Sequence, residues 1–329
     1  MTWDDRRCGD SSAGPDGLPT VSVVVPACNE QGNVSVLAAE LETVLAEEDH
    51  EIIFVDDGST DGTLATVREL CETRPEVGFL SLSRNFGHQN AIKAGIDHAR
   101  GDCVITIDAD LQHPPQLIPE MLEKWREGYD VVNTIRRNGS TLPLFKRASS
   151  RFFYAVLNLV SEVRVEEGTA DFRLLDRRVV DVLCGLNESG LFYRGLIPWT
   201  GFRTIGLPYS PRCRHAGKTK YSISRMLGFA VSGLVSFSVL PLRLATIVGW
   251  IMALGGFGIG IKAVIEYLFT RNTVPGWAST IVAVVFVGGI QLIMLGIIGE
   301  YVGRLFIQAK HRPHYIVRES RLARVPACR

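Results

Sequence analysis

Two carboxylates separated by one small residue, Asp108-Ala109-Asp110, end a run of uncharged and mostly apolar residues over 103–107. Alternate side chains of an extended chain share a face. Both acids can therefore hold one divalent cation, with Gln112 and His113 close behind. Hard oxygen donors favour Mg2+ or Mn2+, and such an ion neutralises the leaving diphosphate of a nucleotide. A lone D-x-D is as readily a solvated turn, so its neighbours matter. Asp56-Asp57-Gly58-Ser59 combines a glycine for a tight turn with Asp57, which can accept from a base or ribose while the turn also caps the next helix. Pro26-Ala27-Cys28-Asn29-Glu30 offers backbone and side-chain contacts to a base. Arg214-His215-Ala216-Gly217-Lys218-Thr219-Lys220 is basic and suits either phosphates or a membrane surface. Arg136 and Arg137 are further phosphate candidates, and Asp171 is the one acid within 168–172.

These residues need a scaffold that brings them together. Residues 21–25 (VSVVV), 51–55, 77–82, 103–107 and 130–134 read as strands. Helices are expected over 33–48, where Val34, Leu37, Leu41, Val44 and Leu45 recur at helical spacing, and over 61–71, 89–99 and 115–127. This alternation predicts an α/β, Rossmann-like domain with a mostly parallel sheet covered on both faces. Ligands bind such sheets at the carboxyl ends of the strands, where residues 26–30, 56–59 and 108–112 all fall. Residues 136–146 read as a mobile loop, 147–159 as a helix, and 168–175 as containing a strand that returns to the site.

The 329 residues are 46% hydrophobic with zero formal net charge, so nothing in the overall charge points to nucleic acid. The seven cysteines are odd in number and show no C-x-x-C spacing, which argues against a disulfide framework or a zinc site. Scattered thiols fit a cytosolic catalytic domain. Residues 1–19 read as a disordered leader, 20–220 as the soluble domain, and 221–243 as an amphipathic membrane-proximal segment or a helix packed on its own domain. Residues 244–302 read as a transmembrane hairpin, with uncharged runs at 244–261 and 278–298 joined by a turn at 271–277. Arg225 and Arg243 precede it and Arg304, Lys310 and Arg312 follow, so both termini, including the tail 303–329, are expected in the cytosol.

In order along the chain, VSVVVPACNE (21–30), FVDDGSTDGT (54–63), SRNFGHQNAIKAG (83–95), DADLQHPP (108–115), DFRLLDR (171–177) and RHAGKTKYS (214–222) resemble family 2 glycosyltransferases of the GT-A fold. The similarity is to the polyprenyl-phosphate branch, which includes bactoprenol glucosyltransferases and dolichol-phosphate mannose synthases. GEYVGR (299–304) and RPHY (312–315) add to it. The resemblance implies a nucleotide-sugar donor contacted at Pro26, Cys28, Glu30, Val55, Asp57, Ala109, Gln112 and Arg136. It implies a metal at Asp108, Asp110 and Gln112, phosphates clamped by Arg136, Arg214, Thr219 and Lys220, and Asp171 on the acceptor side. Cys28 stands where these enzymes usually carry an aromatic residue, and Thr219 where they carry serine.

The implied reaction is inverting transfer of a sugar, glucose from UDP-glucose before others, to a polyprenyl phosphate such as undecaprenyl phosphate at the cytosolic face of a bacterial plasma membrane. A homo-oligomer is compatible with the resemblance. A phosphate monoester is already anionic at neutral pH, its second pKa being about 6, so Asp171 is expected to orient reactants and not to serve as an essential base. Two rivals are weighed. A processive polysaccharide synthase would carry Q-x-x-R-W and more membrane helices. A catalytically dead sugar-nucleotide sensor or scaffold would have no use for an intact Asp108-Ala109-Asp110.

Overall fold

The computed structural model describes residues 20–136, 168–186, 188, 191–212, 240–270 and 276–323. The predicted helix over 147–159, most of the 136–146 loop, the leader, nearly all of 221–243 and the basic motif with Arg214, Thr219 and Lys220 lie outside the described residues.

The chain divides into two units. The larger is built on an eight-stranded sheet. In chain order its elements are β1 (Val21–Ala27), α1 (Gln31–Val44), β2 (His50–Asp56), α2 (Thr63–Thr73), β3 (Val77–Leu82), α3 (His88–His98), β4 (Cys103–Thr106), α4 (Ile118–Arg126) and β5 (Val131–Arg136). There follow β6 (Thr169–Asp176), α5 (Arg177–Gly185), α6 (Tyr193–Trp199), β7 (Thr204–Tyr209) and, much later in the chain, β8 (Val317–Arg321). The order across the sheet is β7-β5-β6-β4-β1-β2-β3-β8. Neighbours are parallel except where β6 meets β4 and β5 and where β8 meets β3. The predicted α/β class and mostly parallel sheet are therefore observed.

The central strands are β-branched because helices cover both their faces. Every residue of β1 is buried, and Ile52, Ile53, Phe54 and Val55 of β2 are fully so. Such runs form the core of a parallel sheet. Val34, Leu37, Ala38 and Leu41 of α1 pack into the same core, as the helical spacing required.

Three features were not legible beforehand. α5, α6 and β7 occupy a stretch for which no element was expected. The helix expected from residue 115 opens as a short 3-10 turn, Pro115–Leu117, before α4. The supposed tail 303–329 contains β8, which pairs with β3 through Phe79↔Arg321 and Leu82↔Val317. Its sequence VRESR is almost wholly exposed and charged, as an edge strand needs to be to avoid pairing with another chain. That composition hid it. Tyr315 Oη donates to Asp97 at 2.9 Å, and Arg100 donates to the Ala323 carbonyl at 3.0 Å, fixing the segment at both ends.

The second unit holds α7 (Leu240–Thr270) and α8 (Trp277–Ala309), which contact each other. Residues Phe286–Ala309 form one stretch of 24 residues long and apolar enough to cross a membrane, with none of its most apolar window buried. Ala245–Gly258 is a shorter apolar stretch. Trp250, Phe257, Phe269, Leu292 and Phe306 are each more than three-fifths exposed. Two buried core helices, the bland reading of this region, would not show such faces. α8 contains the whole of the expected 278–298 run.

Candidate active site

Strands β1, β2 and β4 end side by side, and the three acidic or polar motifs follow them directly. The β1 and β2 loops are laced together. Asn29, in a left-handed backbone conformation (φ 58), accepts from the Thr60 N–H at 2.8 Å, and its own N–H donates to Ser59 Oγ. Glu30 accepts from Asn33 at 2.6 Å. Cys28 Sγ accepts from the Asn85 amide at 3.2 Å. Pro26 and Val55 are register partners, both buried, so they can offer a ligand their backbone rather than their side chains.

Asp57 has a structural task that the motif did not announce. Its oxygens accept from the Phe86 N–H at 2.7 Å and the Gly87 N–H at 3.0 Å. Burial raises its pKa, and those two donors partly offset this. Each oxygen keeps a second lone pair for a ligand. Gly58 adopts φ 65, and a Cβ there would stand 2.5 Å from the Arg84 and Asn85 backbone. The turn after β2 and the loop after β3 thus fit against each other only because residue 58 has no side chain.

Beyond β4, Asp108 and Asp110 are half-buried and Ala109 between them is buried. The chain is not extended there, however. Leu111 has φ 61, which returns the Gln112 N–H to Asp110 Oδ1 at 3.1 Å. The Gln112 amide donates to Asp110 Oδ2 at 2.7 Å. Asp108 faces elsewhere: its Oδ2 accepts from His113 Nε2 at 3.1 Å, and its Oδ1 lies 3.4 Å from His88 Nε2. His113 is held in turn by Tyr209, 2.8 Å from its Nδ1.

Asp171 reaches this rim because β6 runs against β4. The first residues of β6 therefore lie at the carboxyl end of β4, where Thr106 Oγ1 donates to the Asp171 carbonyl at 2.5 Å. The Asp171 carboxylate is buried between Arg173 (2.8 Å) and Arg194 (3.0 Å), with His88 Nε2 at 3.7 Å. Burial disfavours its charge, but Arg194, His88 and Arg173 outweigh that and hold its pKa well below the carboxylate range. Asp108 is likewise lowered: burial opposes ionisation, and His113 and His88 overcome it. Burial opposes charge on His88, and Asp171 with Asp108 outweighs it, raising His88 to about 9. Arg136 ends β5 exposed, in register with Tyr209.

The sequence reading named Asp108, Asp110, Gln112 and Asp171 but not His88, Arg173, Arg194 or Tyr209. His88 stood within a quoted motif, yet a histidine opening a helix carries no signal of its own. The donor set fits a hard cation incompletely and informatively. Among the described residues no three His, Cys, Asp or Glu side chains are grouped to hold a metal. Mg2+ commonly uses one or two carboxylates and takes its remaining oxygens from phosphates and water. Asp108 and Asp110 suit that pattern.

Residues 22–183 match Glycosyl transferase family 2, and residues 240–305 match the GtrB C-terminal hairpin. YkcC, an uncharacterized glycosyltransferase of Bacillus subtilis, is 42% identical over 301 residues, covering 91% of this chain and 93% of that protein. The bactoprenol glucosyl transferase of Shigella phage SfV is 39% identical, covering 92% of this chain and 99% of that protein. A solved mannosyltransferase from Pyrobaculum calidifontis, in complex with GDP-Man and Mn2+, covers 88% of this chain and 89% of its own at 17% identity and a TM-score of 0.44, too distant a likeness to carry chemistry across. With two-fifths of its residues identical to the Bacillus protein along almost the whole of both chains, this chain belongs to glycosyl transferase family 2.

Proposed function

We propose that the protein transfers a hexose, glucose before others, from a nucleoside-diphosphate sugar to a polyprenyl phosphate, with inversion at the anomeric carbon. One observation carries the reading. The chain that bears the acidic rim also bears an apolar hairpin, and a relative named bactoprenol glucosyl transferase aligns with 92% of it.

The donor would lie along the ends of β1, β2 and β4, against Pro26, Cys28, Glu30, Val55, Asp57 and Ala109. Asp108 and Asp110, with Gln112 beside them, would hold Mg2+ or Mn2+, which when bound supplies positive charge to the leaving diphosphate. Arg136, Arg214, Thr219 and Lys220 would hold phosphates. Asp171 is ionised by Arg194 and Arg173. A carboxylate so stabilised is a poor proton acceptor, which supports an orienting role beside an acceptor that is already anionic.

Both α7 and α8 would cross the bilayer, since 31 and 33 residues at about 1.5 Å each exceed a hydrocarbon core of about 30 Å. The basic residues flanking the pair favour both termini in the cytosol.

The test is transfer of radiolabelled sugar from UDP- and GDP-sugars to undecaprenyl phosphate by purified protein, with and without Mg2+ or Mn2+. The expected result is a metal-dependent, lipid-soluble product from UDP-glucose. Turnover only onto a growing water-soluble polymer would overturn the reading.

A further inference from the structure

One imidazole spans the two halves of the site. His88 Nε2 lies 3.4 Å from Asp108 on the donor side and 3.7 Å from Asp171 on the acceptor side. Its side chain is 43% exposed, whereas those of Asp171 and Arg173 are 9% and 3%. His88 is therefore the most exposed member of this network, ahead of Arg194 and Asp108. Its position is built by its neighbours. Asp57 clamps the two N–H groups just before it, and the Arg84 guanidinium lies 4.0 Å over the Phe86 ring.

The charge balance of the rim gives such a residue a task. Three carboxylates, Asp108, Asp110 and Asp171, surround a reaction in which the attacking group is itself an anion. An anionic acceptor is repelled there unless donors stand on its own side. Arg173 is buried and committed to Asp171 and to the Ala170 carbonyl. Among the described residues, Arg194, about one-third exposed, and His88 are the cationic or N–H-bearing groups that line Asp171 and also reach solvent. An N–H already at carboxylate distance can take a phosphate oxygen instead, at about 2.7–2.9 Å.

We propose that His88 is an acceptor-binding residue whose Nε2–H donates to an oxygen of the acceptor's phosphate monoester and seats it between Asp108 and Asp171. The acceptor's identity rests on the glycosyl-transfer reading above; the phosphate chemistry of the position does not.

The experiment uses the full chain in detergent as wild type, His88→Ala and His88→Gln, with thermal melting to confirm folding. Farnesyl phosphate and UDP with Mn2+ are titrated separately by calorimetry. His88→Ala is expected to weaken farnesyl phosphate about tenfold, as losing one hydrogen bond to a charged group does, and to leave UDP within about twofold. His88→Gln, which keeps an N–H, should recover part of the loss. In the transfer assay the KM for undecaprenyl phosphate should rise while that for the donor stays. Unchanged farnesyl phosphate binding, equal weakening of both probes, or no binding of farnesyl phosphate to wild type each overturns the assignment. His88-dependent binding without sugar transfer from any donor would overturn the functional reading alone.

Discussion

Asp171 sits against Arg173 and Arg194 with 9% of its side chain exposed, and its pKa is held well below the ordinary range. It is therefore ionised throughout any neutral assay, and its own titration falls far on the acid side. The activity profile should be flat from about pH 7 to about pH 8, below the value of about 9 to which His88 is raised, with an acid limb near about pH 6 that belongs to the acceptor's phosphate. That limb should persist in Asp171→Asn. A limb that disappears with this substitution would show that Asp171 is a base after all. Asp108 and Asp110 face different partners, His113 with His88 and Gln112 respectively, so neither can replace the other. Asp108→Ala and Asp110→Ala should each cut turnover by at least about a hundredfold, given that charge stabilisation at a leaving group is worth several kcal/mol. Wild-type rates in both would remove the metal reading. The acids were legible as residue types at a strand end. Two of the groups that hold them were not, because Arg194 pairs with Asp171 across 23 positions of chain and Tyr209 holds His113 across 96, and each pair meets only through folding.

At the scale of elements, strand direction places the chemistry. Had β6 run parallel to β4, Asp171 would lie at the opposite end of the sheet from Asp108; the antiparallel register Thr106↔Arg173 puts it at the rim. β8 does comparable work at the far edge, covering β3 with a strand drawn from beyond the hairpin. The approach is close at Gly78, where a Cβ would stand 2.6 Å from the Ala323 N–H. Gly78→Val should therefore lift the C-terminal segment, lowering stability by about 1–3 kcal/mol. Limited proteolysis and melting in detergent would read this. A variant with wild-type melting and an equally protected C-terminus would show that β8 docking contributes little. The β1 and β2 runs predicted their strands because burial on both faces demands apolar residues at every position. The edge strands β7 and β8 are under no such demand, and their exposed, mixed sequences gave no comparable signal.

At the scale of the whole chain, the α7–α8 unit exposes apolar surface that water would not tolerate, Leu292 at 71% and Phe257 at 71% among it. The protein should remain in membranes after an alkaline carbonate wash. Leu292→Arg, at about 2.5–3.5 kcal/mol for a cation mid-helix, should release a measurable fraction. Complete extraction of the wild type would end the membrane reading. The sequence by itself determined the α/β class, the order of the central elements, the rim carrying Asp108 and Asp110, and the apolar hairpin. Each of these is written locally, as periodicity, a turn residue or an uninterrupted apolar run. Only the tertiary structure decided that Asp171 is locked between two arginines, that Asp57 holds the loop leading to His88, that His88 lies between Asp108 and Asp171, and that the chain beyond the hairpin returns as an edge strand. Those outcomes depend on which strands pair and in which direction, a choice made by the burial of surfaces far apart in the chain that no local pattern of residues records.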